Sequence, residues 1–424
     1  MNKYKLSYYN IYSNTNNQNI IFNTFTKGRV LFDDILYNQI KNNDFQKISD
    51  EDIQQLLNLG IIVPNEINEY EIIKEYFFQY RKEKKTLFVT LVPTFMCNFR
   101  CNYCFEGSLA KENKQIIDFS ILKKFAEKNF KNYYHIHVTL FGGEPLLVVN
   151  KCIDFFEYFS KVLNEKQTFS SSIATNAYLM NEKVMDNLIK KCHCQNFQIT
   201  IDGYKRTHNK FRKLVNGNET YDVVLKNFKK LLSFKNNYPS LNIVLRVNLF
   251  NNTIEEVTKL LEEFKDDEKE KFSIYFRGIY ATKEFQKNNT NEKNLINFYK
   301  LAIQRGFKIN ENKNFSVYHC EGDGGTEQIH ILPDGNIYKC INDMSFEKSH
   351  IGFINENGDA VYNKNIDYWE DYSFFDDKEC NKCKYLPMCW GGCPLIYKKR
   401  KERICIHEKI MDSQYNRKDG NKNA

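Results

Sequence analysis

The sequence predicts an α/β fold in which a parallel sheet is preceded by a small domain and followed by a metal-stabilised one. Three observations predict it. Short apolar runs alternate six times with helical segments between Thr86 and about Phe307. Residues 1 to about 84 show a hairpin-and-helix pattern instead. The segment from Phe315 to about His407 has little periodicity but seven cysteines. A chain of 424 residues is ample for two or three domains with buried cores.

Boundaries are expected at 1–84, 85–310 and 311–424. In the first domain, Leu6–Tyr12 and Asn19–Phe25 read as a hairpin across the polar loop Ser13–Gln18. Gly28–Ile40 and Asp50–Leu59 read as short helices, with Ser49 or Asp50 capping the second and Gly60 ending it. Ile61–Val63 reads as a strand and Glu69–Lys84 as a charged linker helix. In the second domain the expected strands are Leu87–Val92, Ile136–Phe141, Ser170–Thr175, Phe197–Ile201, Ile243–Leu249 and Phe272–Ile279. The helices between them are Asp118–Phe130, Lys151–Leu163, Glu182–Lys190, Asp222–Ser233, Ile254–Phe264 and Glu292–Arg305. Such repeats imply parallel strands covered on one side by helices, as a partial barrel or an open doubly wound sheet. Both arrangements place chemistry at the carboxyl ends of the strands. The third domain has too few regular elements to bury a core alone, so metal is expected to help hold it.

Hydrophobic content is 42%, slightly low, and 34 Phe and 27 Tyr supply much of the burial potential. No run of 18 apolar residues occurs, so no membrane span is expected, and Met1–Leu6 lacks an apolar signal region, so a cytoplasmic location is expected. Thirteen cysteines in a reducing compartment call for metal or redox work rather than disulfides. The formal charge is +8. If roughly ten thiolates held three clusters, the net would fall to about +4. Basic residues are dispersed except beyond Ser413, which argues against a nucleic-acid partner.

Cys97, Cys101 and Cys104 stand in the run Cys97-Asn98-Phe99-Arg100-Cys101-Asn102-Tyr103-Cys104, after the first strand of the alternating region. Three thiolates can hold three irons of a four-iron cluster and leave the fourth open, whereas a zinc knuckle would need a fourth ligand that is missing nearby. The three-then-two spacing, with an aromatic before the last cysteine, resembles the radical S-adenosylmethionine (SAM) enzymes. The resemblance implies a partial (β/α)6 barrel whose open iron chelates the amino acid end of SAM. One electron then releases a 5′-deoxyadenosyl radical, supplied by a donor such as flavodoxin or ferredoxin.

Further features follow the family order. Gly142-Gly143-Glu144-Pro145, after the second strand, is implied to bind the SAM amino group through a carboxylate or carbonyl. Thr175-Asn176 matches a Thr-Asn-Gly site near the ribose, with Ala177 in place of the glycine. Asp202-Gly203, His208 and Arg212 resemble an Asp-Gly…His…Arg pattern. A guanidinium suits the SAM carboxylate, with Arg246 and Arg277 as rivals of Arg212. His208 reads better as a capped strand end.

Downstream, Cys320, Gly335, Cys340, Cys380, Cys383, Cys389, Cys393 and Cys405 resemble the SPASM extension of radical SAM peptide and protein maturases. The resemblance implies two auxiliary clusters, one on Cys320, Cys340 and Cys393 and one on Cys380, Cys383, Cys389 and Cys405, for three [4Fe–4S] clusters in all. Some relatives have an eighth cysteine where this chain has Thr326. That leaves an iron open, or ligated by Glu321, Asp323 or His330. Cys152, Cys192 and Cys194 read as core thiols.

Residues 1–84 resemble the winged-helix RiPP recognition element, which docks leader peptides of ribosomally made precursors; a structural cap is the alternative. The implied function is maturation of such a precursor, with thioether formation first among the possible crosslinks. Glu321, Asp323 and Asp343 are the candidate bases. Anaerobic sulfatase maturases share the architecture, but they carry an Asp after the second SPASM cysteine where this chain has Ile341. A cluster-bearing electron carrier would need none of the SAM-site residues.

Overall fold

The computed structural model describes residues 3–15, 18–82, 86–104, 106–249, 252–278, 292–309, 327–341, 344, 346–370 and 373–400. The chain forms two compact units, one of Met1–Lys84, Asn312–Thr326 and Asp367–Ala424, the other of Lys85–Glu311 and Glu327–Ile366. The break after residue 84 falls where the composition changes. The expected 311–424 domain is instead divided, because 327–366 joins the barrel.

In the first unit, β1 (Tyr4–Leu6) pairs antiparallel with β5 (Ile62–Pro64), and β2 (Asn10–Thr15), β3 (Gln18–Asn23) and β4 (Arg29–Phe32) form a three-stranded sheet. Helices α1 (Asp34–Lys41), α2 (Asp50–Asn58) and α3 (Glu69–Lys82) complete its amino-terminal part. The helix expected over Gly28–Ile40 is therefore a strand followed by a helix. Asp33 is extended and its carboxylate accepts from Leu36 N at 2.7 Å, so a cap stands inside the expected helix. Ser49, rather than Asp50, caps α2 through Asp52 N, and Gly60 takes φ +69° beyond its end.

Tyr9, Ile73 and Phe77 pack in one buried cluster with Phe374, Phe375, Leu386 and Trp390. The Phe77 ring lies 4.8 Å from Phe374 and stacks on Trp390 at 5.2 Å. Cys380 and Cys383 border this cluster, and the Tyr70 hydroxyl donates to Phe375 O at 2.8 Å. The cysteine-rich segment thus has an apolar core after all, supplied by the amino-terminal residues.

In the second unit, β6 (Thr86–Leu91), β7 (His135–Leu140), β8 (Thr168–Thr175), β9 (Cys194–Thr200), β10 (Asn242–Leu249) and β11 (Ser273–Gly278) are parallel and adjacent in chain order. Sequential order with right-handed crossovers puts every connecting helix on one face, which selects the partial (β/α)6 barrel over a doubly wound sheet, whose order must reverse. The helices include α4 (Leu109–Glu112), α5 (Phe119–Asn129), α6 (Val149–Val162), α7 (Glu182–Lys190), α8 (Lys205–Phe211), α9 (Tyr221–Phe234) and α10 (Ile254–Glu262). Ile136, Val138 and Leu140 alternate as the buried side of β7, and Phe155, Phe156 and Phe159 are buried on α6. Cys152, Cys192 and Cys194 are buried, as expected of core thiols.

Beyond the barrel, β12 (Lys308–Ile309) adds to β11, and β13 (Glu327–Ile331) runs parallel to β6. Antiparallel β14 (Asn336–Tyr338), β15 (His350–Ile354) and β16 (Ala360–Tyr362) follow it. These strands escape a search of the carboxyl segment alone, since β13 takes its partner from the barrel.

Candidate active site

Strand β6 ends at Leu91, and Cys97 follows six residues later, at the carboxyl end of the sheet. Cys97, Cys101 and Cys104 line one cavity of about 510 Å³, together with Phe99, Arg100, Glu106, Lys111 and Gly143. The Arg100 guanidinium folds back to donate to Cys97 O at 2.8 Å and Phe99 O at 2.7 Å, bracing the loop. Burial pushes the Cys97 thiol up to about 12, helped by the Glu144 charge, and the Cys104 thiol to about 11. Three soft sulfur donors around a roomy cavity suit an iron–sulfur cluster.

Three other loops converge on this one. Gly143 N donates to Thr94 O at 3.2 Å and Glu144 N to Met96 O at 2.8 Å, clamping the turn after β7 to the start of the cysteine loop. Gly142 has φ +114°, and a Cβ on Gly143 would lie 2.2 Å from the carbonyl oxygens of Phe95 and Met96. Asn176 Nδ2 donates to Asn98 Oδ1 at 2.8 Å and lies 3.9 Å from Cys97 Sγ. From the other side, Arg100 N donates to Lys213 O at 2.8 Å and Val215 N to Asn98 O at 2.9 Å.

The buried Glu144 carboxylate points into the protein. It accepts from Thr175 Oγ1 at 2.7 Å, Asn176 N at 2.8 Å and Leu146 N at 3.1 Å. Those bonds tie the ends of β7 and β8 together, and Pro145 opens the short 3₁₀ turn Pro145–Val148. Of the two acceptors expected in this turn, the side chain is occupied by the chain itself, leaving backbone carbonyls.

Asp202 and Arg212 meet in a second buried group. The Asp202 carboxylate accepts from the Tyr103 hydroxyl and from Asn248 N at 3.0 Å, and Arg212 lies 3.8 Å away. Arg212 also donates to the Tyr103 hydroxyl at 2.8 Å. Burial pushes the Asp202 carboxyl up while the guanidinium pulls it back, and the same anionic surroundings keep Arg212 charged. Arg212 is therefore committed to Asp202 and Tyr103. Arg246 approaches the same group, donating Nε to Asn248 Oδ1 at 2.9 Å. Its guanidinium also lies 6.0 Å from the centre of the Tyr275 ring, while Arg212 Nε is buried without a partner. Arg277 is exposed and donates to the Tyr275 hydroxyl. His208 is fully buried, receiving Asp202 N and meeting Thr220 Oγ1 at 3.1 Å, and so braces the strand end.

Sequence reasoning passed over Asn98 and Asn248, which carry no motif signal. It also passed over Glu106, two residues beyond Cys104. Glu106 is 2% exposed, Oε1 has no hydrogen-bond partner, and burial alone raises the carboxyl to about 7.

In the first unit, Cys380, Cys383, Cys389 and Cys393 lie within the short turns and helices of 380–400, where Cys383 N donates to Cys380 O at 3.0 Å and Cys389 N to Tyr385 O at 2.9 Å. Cys340 is buried in the second unit, followed by buried Ile341. Cys320, Cys405, Thr326 and the candidate bases Glu321, Asp323 and Asp343 lie outside the described residues.

A three-cysteine loop at the mouth of a partial barrel, joined to the Gly-Gly-Glu-Pro, Thr-Asn and Asp-Gly strand ends, defines a class, and residues 91–265 match the Radical SAM superfamily model. Residues 91–265 thus form a radical SAM domain. The chain is 23% identical over 421 residues to the radical SAM cyclopropyl synthase TigE of Paramaledivibacter caminithermalis, covering 92% of this chain and 85% of that one. It is 25% identical over 330 residues to a cysteine-type anaerobic sulfatase-maturating enzyme of Clostridium novyi, covering 70% and 84%. Among solved structures, anSMEcpe with bound AdoMet aligns with a TM-score of 0.56 at 21% identity, over 75% of this chain and 88% of that one. Streptococcus suis SuiB bound to its precursor peptide SuiA aligns with a TM-score of 0.52 at 16% identity, over 94% and 97%. Both alignments show a common fold. Among the described residues, no helix is long and apolar enough to cross a membrane.

Proposed function

We propose that this radical SAM enzyme matures a ribosomally made precursor peptide in the cytoplasm. The observation that carries the reading is the convergence of Cys97, Cys101 and Cys104 with Gly143 on one cavity, with Asn176 bonded to the cysteine loop. Bound there, a [4Fe–4S] cluster and SAM would supply a 5′-deoxyadenosyl radical able to take hydrogen from an unactivated carbon. The chain's part is to orient. Cys97, Cys101 and Cys104 would hold three irons, carbonyls of the Gly142–Gly143 turn would receive the SAM amino end, Thr175 and Asn176 would border the ribose, and Arg246 would pair with the carboxylate. The Asp202–Arg212–Tyr103 group fixes the wall behind Cys101. The carboxyl-terminal cysteines are proposed to hold two auxiliary clusters in a SPASM-type domain that takes up the electron as a thioether or carbon–carbon bond closes. Residues 1–84 are proposed to receive a leader peptide, and a flavodoxin or ferredoxin to deliver the first electron.

The peptide substrate is suggested by structural neighbours solved with peptides, SuiB with SuiA and anSMEcpe with Kp18Cys peptide. A second reading, formylglycine formation, is favoured by the Clostridium relatives. It is weakened by Ile341, which stands after Cys340 and cannot take a proton. Anaerobic reduction with SAM is expected to release 5′-deoxyadenosine, and replacing Cys97, Cys101 and Cys104 together by Ala to abolish it. Retained cleavage in that variant would refute the reading.

A further inference from the structure

Glu106 is a buried carboxylate that the arrangement above does not use. It lies on the wall of the cysteine cavity, is 2% exposed, and has an oxygen without a partner. Several neighbouring polar groups are already engaged. Glu144 is filled by Thr175, Asn176 and Leu146, Arg100 is turned onto carbonyl oxygens, and Arg212 is held by Asp202 and Tyr103. Lys111 lines the same cavity but is exposed and makes no ion pair with Glu106.

A buried carboxylate without a donor is costly, and more so beside a cluster whose three thiolates leave it with a net charge of about −1. What removes that cost is a ligand bringing N–H donors and positive charge into the cavity. SAM has both, in its amino group and its sulfonium. We propose that the Glu106 carboxylate accepts a hydrogen bond from the amino group of SAM and so selects the amino acid arm of the cofactor. The backbone carbonyls of the Gly142–Gly143 turn supply the remaining acceptors. This rests on the SAM-dependent reading above.

The test uses the full, cluster-loaded chain and two probes, SAM and its analogue lacking the α-amino group. Affinities are measured by equilibrium dialysis, and the EPR spectrum of the reduced barrel cluster is recorded with each probe. Glu106→Ala should weaken SAM binding about ten- to a hundred-fold, the range of a lost charge-assisted hydrogen bond, and leave the analogue's affinity within about two-fold of the parent. Glu106→Gln, which keeps the shape and one acceptor, should fall between. SAM binding unchanged in both variants would overturn the proposal. So would equal losses for the two probes, or loss of barrel iron in the isosteric Gln variant, which would make Glu106 a support of the cluster. Failure of the parent chain itself to bind SAM would instead refute the SAM-dependent reading.

Discussion

A methyl group on Gly143 would meet two carbonyl oxygens of the segment leading into Cys97, each at 2.2 Å. Backbone cannot yield there as a flexible side chain would, so Gly143→Ala should displace the cysteine loop. We expect reconstituted iron to fall and SAM affinity to drop, read by iron analysis and dialysis; a variant with parental values would show that the contact is slack. Asp202 offers a second residue-scale test. Asp202→Asn leaves Arg212 charged and buried without a counter-ion, which should cost about 3–5 kcal/mol in urea unfolding. Tyr103→Phe removes only a hydroxyl and should cost about 1 kcal/mol. Similar losses for both would mean that the ion pair contributes little.

Along β7 and β8 a polar ladder runs on the face opposite Ile136 and Val138. His135 bridges Thr168 and Ser170, His137 bridges Ser170 and Ser172, and Thr139 meets Ser172, all at 2.8–3.0 Å. Burial, with His135 beside it, pushes His137 from 6.5 down to about 4. The unfolded imidazole takes a proton below about 6.5, the folded one only below about 4, so the unfolded state binds more protons between those values. The neutral ladder therefore stabilises fully above about pH 6.5 and loses up to about 3 kcal/mol as pH falls to 4. Urea unfolding at pH 7 and pH 5 should show a smaller difference in His137→Gln than in the parent; equal differences would exclude His137 as the cause. At this scale, the barrel strands were legible to within three residues because alternating burial against helices leaves a periodic imprint. Arg29–Phe32 was missed because Val30-Leu31-Phe32 has no alternation and its cap, Asp33, lies inside an apolar stretch. β13 was missed because its pairing with β6 joins residues far apart in sequence. The cysteine loop at the mouth of the barrel was legible through its spacing. Tyr103, Asn248 and Glu106 acquire meaning only when loops from different strands meet.

For the molecule as a whole, the amino-terminal residues and the cysteine-rich segment form one folded body. Deleting residues 1–84 strips Tyr9, Ile73 and Phe77 from Phe374, Phe375 and Trp390, so it tests more than leader docking. If Cys380–Cys393 hold iron as proposed, that truncation is expected to lose it while the proposed barrel cluster is retained. Trp390→Ala should cost about 3–5 kcal/mol and loosen both segments together, visible as simultaneous loss of protection in hydrogen exchange. Separate loss in the two segments would contradict a common core.

That shared packing also sets where the gene can be cut and rejoined. A chimaera exchanging only the first 84 codons with a relative would set foreign aromatic side chains against the native Phe374 and Trp390. If residues 1–84 dock a leader as proposed, retargeting to another precursor should therefore succeed more often when codons 373–400 travel with the amino-terminal block.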